Sequence, residues 1–460
     1  MNVLLITIDS LRADHVGCLG CKDTTPVIDK LAKRGLLFTN AISCGPDTPT
    51  SIYPLMTSSY VLTYYILKAN RRDMKTSVDE FELMRHVILD IYRYENTIAG
   101  VLRKHGYKTA AFHSNPYLSR YYNFGRDFDY FYDSISLKSY SLKQRIKKIV
   151  ERFSFLYDIA WFLYKNIYSK IVSTTADKVP YERAGEINRK VERWLKNVRD
   201  EMFFLWVHYM DVHFPYIPPE EFRSVDLDVF SIVELNNKML KDPEKLTDED
   251  IETLLTLYDD AIRFVDHEIG RLIDLMDDLG LLEDTIVIIT SDHGDEFGDH
   301  GDFAHHHSKL YDENIWVPLI MYNVGFKGRI DETISLIDIA PTIMDLLSLP
   351  KPKTFQGKSL LSVISGESRG GVFSESLQRM KRNIALRTND WKFILDSYRN
   401  RRELYDLRKD PKERENVYDE HRDIAKKMEE RILNHILRQK RRITEKIAVR
   451  KKIQKIKGKF

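Results

Sequence analysis

Residues 286–295 decide the fold, and they read Ile-Val-Ile-Ile-Thr-Ser-Asp-His-Gly-Asp. The first five are β-branched and mostly apolar, which is typical of a parallel strand buried on both faces. Asp292 and His293 follow almost at once, and Gly294 permits a tight turn beside them. A strand that ends in a carboxylate and an imidazole predicts a ligand site at the edge of a sheet.

The same pattern, a buried strand that ends in polar side chains, occurs at two earlier points. A predicted strand at 3–8 is followed by Asp-Ser-Leu-Arg at 9–12, and an apolar run at 202–207 is followed by His-Tyr-Met-Asp-Val-His at 208–213. Carboxylates and imidazoles on a rigid scaffold are what a divalent cation needs. Capping of the next helix explains an Asp at any one strand end, but three such ends favour a metal site.

Strands and helices alternate along roughly the first 350 residues, which predicts an α/β fold. Short apolar runs at 108–112 and 317–321 add two strands, and the second is expected to be parallel as well. Helices are predicted at 26–34, 95–104, 261–279 and, with Pro341 interrupting it, 335–347. We therefore expect a largely parallel central sheet flanked by helices.

The pattern changes after residue 371. Turn residues there separate short strands at 372–374, 384–387 and 391–395, which predicts a small antiparallel sheet before a charged helix closes the chain. The domains expected are an α/β domain at 1–365 with helical insertions at about 61–94 and 140–200, an antiparallel subdomain at 366–418, and a basic helical tail at 419–460.

Composition excludes several classes of protein. The 460 residues are 43% hydrophobic and 30% charged, a balance typical of a globular protein rather than a collagen-like, disordered or disulfide-stapled chain. The sequence contains no uncharged apolar run of 18 residues or more, so it predicts no membrane-spanning helix. Residues 1–9 lack the features of a signal peptide. Three cysteines in so long a chain indicate a reducing compartment, so we expect a cytoplasmic protein.

Charge is distributed unevenly along the chain. Residues 421–460 contain 15 Lys and Arg against 4 Asp and Glu, whereas the residues before them carry a net negative charge. Apolar residues of this tail fall at helical spacing, which predicts a helix with one docked face. The alternative for the tail is contact with an anionic membrane or with nucleic acid. The aromatic stretch at 153–164 is expected to be a helix packed on the body, with a membrane surface or a substrate pocket as its alternatives. We expect no nucleic acid partner.

Short motifs spread over nearly the whole chain add a family resemblance. They lie at 2–15, 106–112 (Gly-Tyr-Lys-Thr-Ala-Ala-Phe), 208–211 with 213–216, 291–294 (Ser-Asp-His-Gly), 310–313 with 317–319, 338–342 (Asp-Ile-Ala-Pro-Thr), and 403–407 with 410–411. Each is weak alone, but in this order and spacing the sequence resembles the sulfatase family of the alkaline phosphatase superfamily. The resemblance implies that family's fold and a hydrolase of sulfuric or phosphoric esters.

The resemblance places the nucleophile at Thr48. In these sulfatases a Cys-x-Pro-x-Arg motif, whose cysteine is converted to formylglycine, precedes a Leu-Leu-Thr-Gly-like segment. Residues 55–58 here are Leu-Met-Thr-Ser, and the family's spacing counted back from them gives Thr48, with Ile52 at the arginine position. Cys44 begins a Cys-Gly-Pro string, but it is out of register and lacks the arginine. The alternative for Cys44 is a small buried apolar residue.

A threonine nucleophile changes the chemistry that follows. A hydrated aldehyde expels sulfate by re-forming its carbonyl, whereas a threonine ester must be cleared by water or passed to an acceptor. The Thr48 hydroxyl needs metal coordination to activate it, and related enzymes with threonine at this place act on phosphoesters. The alternative for Thr48 is a helix N-cap, which is compatible with catalysis. A helix N-terminus there would also help to bind an anion.

The metal ligands that the resemblance implies are Asp9, Asp292, His293 and Thr48. Ser10 stands where many sulfatases have a second Asp, and His293 stands where they often have Asn, so the ligand set shifts from oxygen towards nitrogen. Such a set favours one divalent ion, manganese or zinc before calcium or magnesium. A second ion requires the convergence of Asp211, His213 and His306.

The remaining catalytic candidates would stabilise the negative charge that the transition state places on the equatorial and leaving oxygens. They are Arg12, His213 and His306. His213 matches a histidine that contacts the sulfate in the family, and His306 lies in a triple-histidine string at 305–307 where relatives carry His or Lys. We favour His306 over His307 as the acid that protonates the leaving group. A solvated turn is the alternative for this string. For His208, the alternative to a role in the site is a core histidine whose ring bonds to backbone groups.

The function expected is a metal-dependent hydrolase that cleaves sulfate or phosphate esters of a small molecule, glycan or lipid through a covalent Thr48 intermediate. One rival, which the aromatic stretch at 153–164 suggests, is a transferase of a phospho-headgroup onto a lipid or glycan; a phosphodiesterase acting on such a headgroup is a variant of it. The other is a non-catalytic binding protein on a sulfatase scaffold, which the missing Cys-x-Pro-x-Arg motif suggests.

Overall fold

A computed structural model of the protein describes residues 1–20, 22–61, 95–134, 179–305, 308–376, 383–396 and 399–457. The predicted insertion at 61–94 lies outside these residues except for its first position. Of the predicted helical region at 140–200, the described part contains a helix at Ala184–Val198, and the aromatic stretch at 153–164 lies outside it.

The centre of the fold is a sheet, in which nine strands pair among the described residues. The first eleven strands are β1 (Asn2–Ile8), β2 (Leu36–Ile42), β3 (Lys108–Phe112), β4 (Tyr130–Tyr132), β5 (Phe203–Tyr209), β6 (Thr285–Ser291), β7 (Glu296–Phe297), β8 (Phe303–Ala304), β9 (Trp316–Tyr322), β10 (Gly328–Ile330) and β11 (Ile334–Ser335). The central order is β10-β2-β9-β6-β1-β5-β3-β4, with β11 on β2, while β7 and β8 pair separately. Strands β6, β1, β5, β3 and β4 run parallel, which confirms the predicted fold class.

Strand β9 corrects the prediction made for 317–321. It pairs antiparallel with both β2 and β6, whereas we expected a parallel strand. Residues 317–321 of β9 are all buried, and a strand covered on both faces is a continuous apolar run whichever way it points. The apolar pattern therefore predicted the strand but not its direction.

The sheet is buried on both faces, and this burial fixes where its strands end. Along β1, Val3 and Leu5 pack into one apolar cluster while Leu4 and Ile6 pack into another, because successive side chains point to opposite faces. All seven residues of β1 are buried. A shift of one residue would exchange the two faces, so the register that positions Asp9 is strongly specified.

The described helices cover these two faces. They are α1 (Gly17–Gly20), α2 (Pro26–Arg34), α3 (Thr48–Thr57), α4 (Ile98–Lys104), α5 (Ala184–Val198), α6 (Val229–Lys241), α7 (Asp248–Asp278), α8 (Asp312–Ile315), α9 (Ile339–Leu346), α10 (Leu361–Ile364) and α11 (Arg422–Lys457). Apolar residues of α2, α5 and α7 pack on one face, and those of α3, α4 and α9 on the other. None of the described helices has the length and apolar character that crossing a membrane requires.

Two helix boundaries follow from local chemistry. Helix α2 matches its predicted bounds because Pro26 fits the first helical position and a glycine, Gly35, follows the last. The predicted helix at 335–347 begins as a 3-10 turn at Leu336–Asp338 and becomes α-helical at Ile339. Pro341 thus lies in the first turn of α9, where its missing N–H leaves no hydrogen bond unmade.

The C-terminal antiparallel sheet has one strand more than predicted. Its strands pair in the order β12 (Val372–Glu375), β13 (Asn383–Arg387), β14 (Trp391–Asp396) and β15 (Arg401–Asp406). The first three were predicted. Strand β15 was missed because it begins with Arg401, Arg402 and Glu403, so its apolar pattern is too short to recognise.

Helix α11 docks with one face on this subdomain and on the main apolar cluster. Its buried apolar residues recur at helical spacing and are Ala425, Met428, Ile432 and Ile443. Leu433 and Leu437, which share the apolar pattern, are 47% and 62% exposed. The docked face predicted for the basic tail is therefore present but narrower than the pattern indicated.

Candidate active site

The register of the parallel strands brings two polar strand ends to one edge of the sheet. Ile8, the last residue of β1, pairs with Ser291 of β6 on one side and with Tyr209 of β5 on the other. The residues that follow, Asp9 and Asp292, are consequently neighbours, and both are fully buried. The pairing of the strands thus brings together two aspartates that are 283 positions apart in the sequence.

Asp9, Asp292 and His293 form a buried set that we call the Asp-Asp-His cradle. His293 Nε2 lies 3.5 Å from Asp9 Oδ1 and 3.6 Å from Asp292 Oδ2. His293 Nδ1 donates to the Gly294 carbonyl at 2.9 Å, so a neutral ring carries its lone pair on Nε2. Among the described residues, neither His293 Nε2 nor Asp292 Oδ2 has a hydrogen-bond partner, although both are buried. Such atoms around one point fit a divalent cation.

The charges of the cradle favour a cation in the same place. Burial and the Asp9 carboxylate raise the pKa of Asp292. Burial alone would raise the pKa of Asp9, but His213, the hydrogen bond with His208, and His293 lower it. Burial disfavours the charged form of His293, yet Asp292 and Asp9 outweigh burial and raise its pKa to about 9. The two buried carboxylates thus stabilise a cation beside them, either the protonated His293 ring or a metal ion.

Helix α3 brings Thr48 to the cradle. Asp47 is the N-cap of this helix, because its side chain accepts from the Thr50 backbone N–H at 2.9 Å. The capping role weighed for Thr48 therefore falls to its neighbour, and the Thr48 hydroxyl donates to Asp9 Oδ2 at 3.4 Å. The start of a ten-residue helix beside this hydroxyl is a favourable place for an anion.

Asn115, which no sequence motif marks as a site residue, bridges the nucleophile candidate and the cradle. Its Nδ2 donates to Asp9 Oδ2 at 2.8 Å and to Thr48 Oγ1 at 3.3 Å. Its Oδ1 accepts from the Tyr117 backbone N–H at 2.9 Å. Asn115 lies three residues after β3, so its position just beyond a strand end was the signal that could have identified it.

His208 also belongs to the site. Thr7 Oγ1 accepts from Trp206 Nε1 at 2.9 Å and lies 2.9 Å from His208 Nδ1. With the hydroxyl proton directed to Nδ1, the Nε2 N–H donates to Asp9 Oδ2 at 3.1 Å. The histidine is fully buried, as the core interpretation expected. Its partners are side chains rather than backbone, and one of them is a carboxylate of the cradle.

Two small residues shape the turns around the cradle. Ser10 has a left-handed φ of 61°, and its N–H donates to Asp292 Oδ1 at 3.2 Å while its hydroxyl donates to Asp9 Oδ1 at 3.1 Å. At Gly294 a Cβ would lie 2.1 Å from the Glu313 carbonyl oxygen. The glycine is needed for this close approach, rather than for the tight turn that the sequence predicts.

The C-terminal sheet supports the segment that leads to Thr48. Ser374 Oγ in β12 donates to the Ser43 carbonyl at 2.5 Å, and Ser43 Oγ lies 2.5 Å from the Asp292 carbonyl. The Glu375 N–H donates to the Cys44 carbonyl at 2.7 Å. The antiparallel subdomain is therefore tied directly to both sides of the site.

Cys44 itself is part of the apolar core. Its Sγ lies 3.5 Å from Ser335 Oγ, and the residue belongs to the cluster on one face of the sheet. Burial raises the pKa of its thiol to about 12, which disfavours the thiolate that a nucleophile needs. These contacts agree with the interpretation of Cys44 as a small buried residue.

The triple-histidine string is described in part. His306 and His307 lie outside the described residues, so the general acid favoured from the sequence stays a prediction. The His305 ring centroid lies 4.4 Å from that of His293 and 5.0 Å from that of His213. His305 Nδ1 lies 2.9 Å from Asp295 Oδ1, and burial together with His293 lowers its pKa to about 4.

His213 lies at this edge of the site. Its Nδ1 donates to the Phe214 carbonyl at 2.5 Å, which leaves Nε2 as the acceptor of the neutral ring. Two groups of candidate metal ligands share His293, and within each group the ligand atoms lie within 4.8 Å of one another. One is the Asp-Asp-His cradle, and the other joins His293 to Asp295 and His305.

Asp211 has a structural role. Its Oδ2 accepts from the Ala184 N–H, the first of helix α5, at 2.9 Å, and its Oδ1 lies 3.5 Å from Arg183 Nη1. Asp211 therefore binds the N-terminus of α5, the helix that precedes its own strand, whereas the alternative for strand-end aspartates was capping of the next helix. The second ion was conditional on the convergence of Asp211, His213 and His306; Asp211 is engaged with α5, and His306 lies outside the described residues, so this condition stays untested.

The Arg12 guanidinium is engaged in ion pairs. Its Nε and Nη2 donate to the two Asp14 carboxylate oxygens at 2.9 and 2.8 Å, and Nη1 donates to Asp299 Oδ2 at 2.8 Å and to the Asp295 carbonyl at 3.1 Å. These bonds hold the loop that follows the cradle. The role predicted for Arg12 at the transition state stays a prediction.

Comparisons of the sequence with known proteins identify its family. The Sulfatase family profile matches residues 1–349, and the profile of the C-terminal region of N-sulphoglucosamine sulphohydrolase matches residues 298–439. An arylsulfatase of Clostridium perfringens is 24% identical over 90% of this chain and 90% of its own length. An uncharacterized sulfatase of Escherichia coli is 26% identical over 95% of this chain and 87% of its own length.

Solved structures show the same fold. A phosphonate monoester hydrolase of Agrobacterium radiobacter superposes with a TM-score of 0.67 at 19% identity, over 95% of this chain and 96% of that one. An enzyme in complex with its substrate, D-glucosamine-2-N,6-O-disulfate, superposes with a TM-score of 0.62 at 18% identity, over 96% and 98%. With the family profile spanning three quarters of its length, the chain belongs to the sulfatase family and is an ester hydrolase of that family.

Proposed function

We propose that this protein hydrolyses sulfate or phosphate esters by attack of Thr48, with one divalent ion held by Asp9, Asp292 and His293. The observation that carries the proposal is the position of Thr48 Oγ1, 3.4 Å from Asp9 Oδ2 and at the start of α3. Beside it lie two buried ligand atoms that lack a partner within the described part of the chain. The names of the relatives, an arylsulfatase and a phosphonate monoester hydrolase, favour the same ester classes.

The first half-reaction forms a covalent ester on Thr48. A bound divalent ion would withdraw charge from the hydroxyl and from the substrate oxygens. Thr48 Oγ1 attacks the phosphorus or sulfur atom while the bond from that atom to the leaving oxygen breaks. The Thr48 hydroxyl passes its proton to Asp9 Oδ2, the oxygen to which it donates. The leaving oxygen takes up one proton from His306, the general acid favoured from the sequence, and exchange with solvent restores both groups. Asn115 Nδ2 holds Thr48 Oγ1 in line during the attack.

The second half-reaction restores the hydroxyl. A threonine ester has no second hydroxyl on its reacting carbon, so it cannot collapse to a carbonyl. A water molecule attacks the phosphorus or sulfur atom, its proton returns to Thr48 Oγ1, and the inorganic anion leaves. The rival transferase, in which an acceptor alcohol replaces this water, was suggested by an aromatic stretch that lies outside the described residues.

The test is a panel of p-nitrophenyl sulfate, phosphate, phosphodiester and phosphonate, each assayed with manganese, zinc, magnesium or calcium. We expect metal-dependent turnover of at least one ester, and a loss of about a thousandfold or more in Thr48→Ala. Thr253→Ala, which removes an exposed hydroxyl of α7, is the matched control and should retain the wild-type rate. Turnover that survives in Thr48→Ala would overturn the proposal.

A further inference from the structure

The two faces of helix α11 differ in how their charges are matched. On the docked face, the buried Glu95 carboxylate lies 3.1 Å from Arg442 Nη2 and 2.6 Å from Lys446 Nζ. His435 on the same face lies 2.7 Å, measured from its Nε2, from Glu375 Oε1. The body of the protein therefore supplies a carboxylate to the basic residues that α11 turns towards it.

The outward face of α11 carries an excess of positive charge. Among the exposed residues between positions 426 and 449, the cations are Lys426, Lys427, Arg431, Arg438, Lys440 and Arg441, and the acids are Glu430 and Glu445. Arg441 pairs with Glu445 at 3.0 Å. The cations that form no ion pair with any other residue in the described ranges are Lys426, Lys427, Arg438 and Lys440. The helix continues to Lys457, and positions 450–457 of the sequence add five cations and no acid.

Two exposed leucines lie among these cations. Leu433 and Leu437 are 47% and 62% exposed, and residues four positions apart are neighbours on a helix surface. Lys426 precedes Leu433 by seven positions and Lys440 follows it by seven. Because seven residues make nearly two helical turns, these lysines lie on the same stripe as the leucines, one on either side.

An anionic membrane surface matches both features of this face. A helix that lies in a membrane interface buries its leucines at the boundary between headgroups and acyl chains, and its lysines extend to the anionic headgroups. A nucleic acid would match the cations but leave the leucines in water. The observations therefore favour a lipid surface.

We propose that the outward face of α11 binds an anionic lipid bilayer at its surface. Leu433 and Leu437 enter the interface, and the surrounding cations contact the lipid phosphates. Binding requires no release of α11 from the body, because the residues that dock it lie on the other face. The inference is independent of the proposed function, since it concerns this surface and not the ester chemistry.

Co-sedimentation of the full chain with vesicles tests the proposal. One set of vesicles is phosphatidylcholine with about 30% phosphatidylglycerol, and the other is phosphatidylcholine alone. We expect the partition coefficient to be at least about tenfold higher on the anionic vesicles. It should fall severalfold when NaCl is raised from about 0.1 M to about 0.5 M, because salt screens the attraction.

Single substitutions separate the two contributions. Leu437→Gln should lower the partition coefficient on anionic vesicles about tenfold, and Lys440→Gln should lower it about fivefold. The matched controls are Leu240→Gln and Lys241→Gln, which change an exposed leucine and an exposed lysine at the end of α6. Both controls should bind as the wild type does, and an unchanged Tm would show that all four variants are folded.

Several results would overturn the proposal. They include equal partition onto the two kinds of vesicle, no binding to either, and wild-type binding by Leu437→Gln or Lys440→Gln. Binding to duplex DNA but not to anionic vesicles would assign the cations to nucleic acid instead. A dimer in sedimentation velocity that Leu437→Gln dissociates, without vesicle binding, would assign the face to a second copy of this chain.

Discussion

Replacing Asn115 by Asp tests the amide that links the nucleophile candidate to the cradle. In the wild type, Nδ2 donates to Asp9 Oδ2 at 2.8 Å and to Thr48 Oγ1 at 3.3 Å. Asp keeps the shape of the side chain and an oxygen that accepts from the Tyr117 N–H. It replaces the donor by a second carboxylate oxygen beside Asp9.

The expected loss follows from these contacts. A hydrogen bond to a charged group contributes roughly 1.5–3 kcal/mol, and its removal should lower kcat/KM roughly ten- to a hundredfold. The added like charge acts in the same direction. Asn115→Ala loses the amide donor as well, and it should also lower the free energy of unfolding by about 1 kcal/mol, because the acceptor for the Tyr117 N–H is gone.

The assay is kcat/KM on the fastest p-nitrophenyl ester at saturating metal, with unfolding in urea measured in parallel. Asn197→Asp, an exposed amide of α5 whose Nδ2 contacts the Arg193 carbonyl, is the control and should leave kcat/KM unchanged. If both Asn115 variants stay within about threefold of the wild type, the amide has no role in positioning Thr48, and the reasoning is refuted.

Three further predictions concern the metal, the tail helix and the nucleophile helix. Without a metal ion the pKa of His293 is raised to about 9, so below that pH a proton competes with the ion for His293. The affinity for Mn²⁺, measured by calorimetry, should therefore rise about tenfold per pH unit from pH 7 to 9 and then level off. Glu95→Ala leaves Lys446, whose Nζ lies 2.6 Å from Glu95 Oε1, without its anion, and should lower the free energy of unfolding in urea by about 3 kcal/mol. Asp47→Ala removes the N-cap of α3 and should cost about 1 kcal/mol of stability and lower kcat, because Thr48 is the first residue of that helix.

Each of these has a contrary result. An Mn²⁺ affinity that does not change between pH 7 and 9 would mean that His293 is not the proton-releasing ligand. A Glu95→Ala variant as stable as the wild type would mean that the buried ion pair does not anchor α11. Unaltered stability and kcat in Asp47→Ala would mean that the cap does not position Thr48.

The cradle could be predicted from the sequence because its signals are local. Asp9 and Asp292 each follow a buried strand directly, and parallel strands of one sheet present their carboxyl ends at the same edge. Thr48 depended on a family spacing, since nothing in a string of Thr, Pro and Ser distinguishes a nucleophile from a cap. The structure separates these two roles by assigning the cap to Asp47.

The features that the sequence did not predict depend on contacts between distant segments. Asn115 becomes a site residue only when β3 lies beside β5 in the sheet. The direction of β9 depends on its neighbours β2 and β6. A strand buried on both faces has the same continuous apolar pattern whichever way it runs. Asp211 lies two residues beyond β5, close to a strand end as Asp9 is, and only its contact with the first N–H of α5 shows that it binds a helix N-terminus.

The measurement that tests the central claim most directly is a search for the covalent ester on Thr48. The wild type is quenched in acid during turnover of its fastest p-nitrophenyl ester, digested, and analysed by mass spectrometry. We predict that the peptide containing Thr48 carries one phosphoryl or sulfuryl group at Thr48 and that Thr48→Ala carries none. The same group on Cys44 or another residue, or full turnover by Thr48→Ala, would contradict the account.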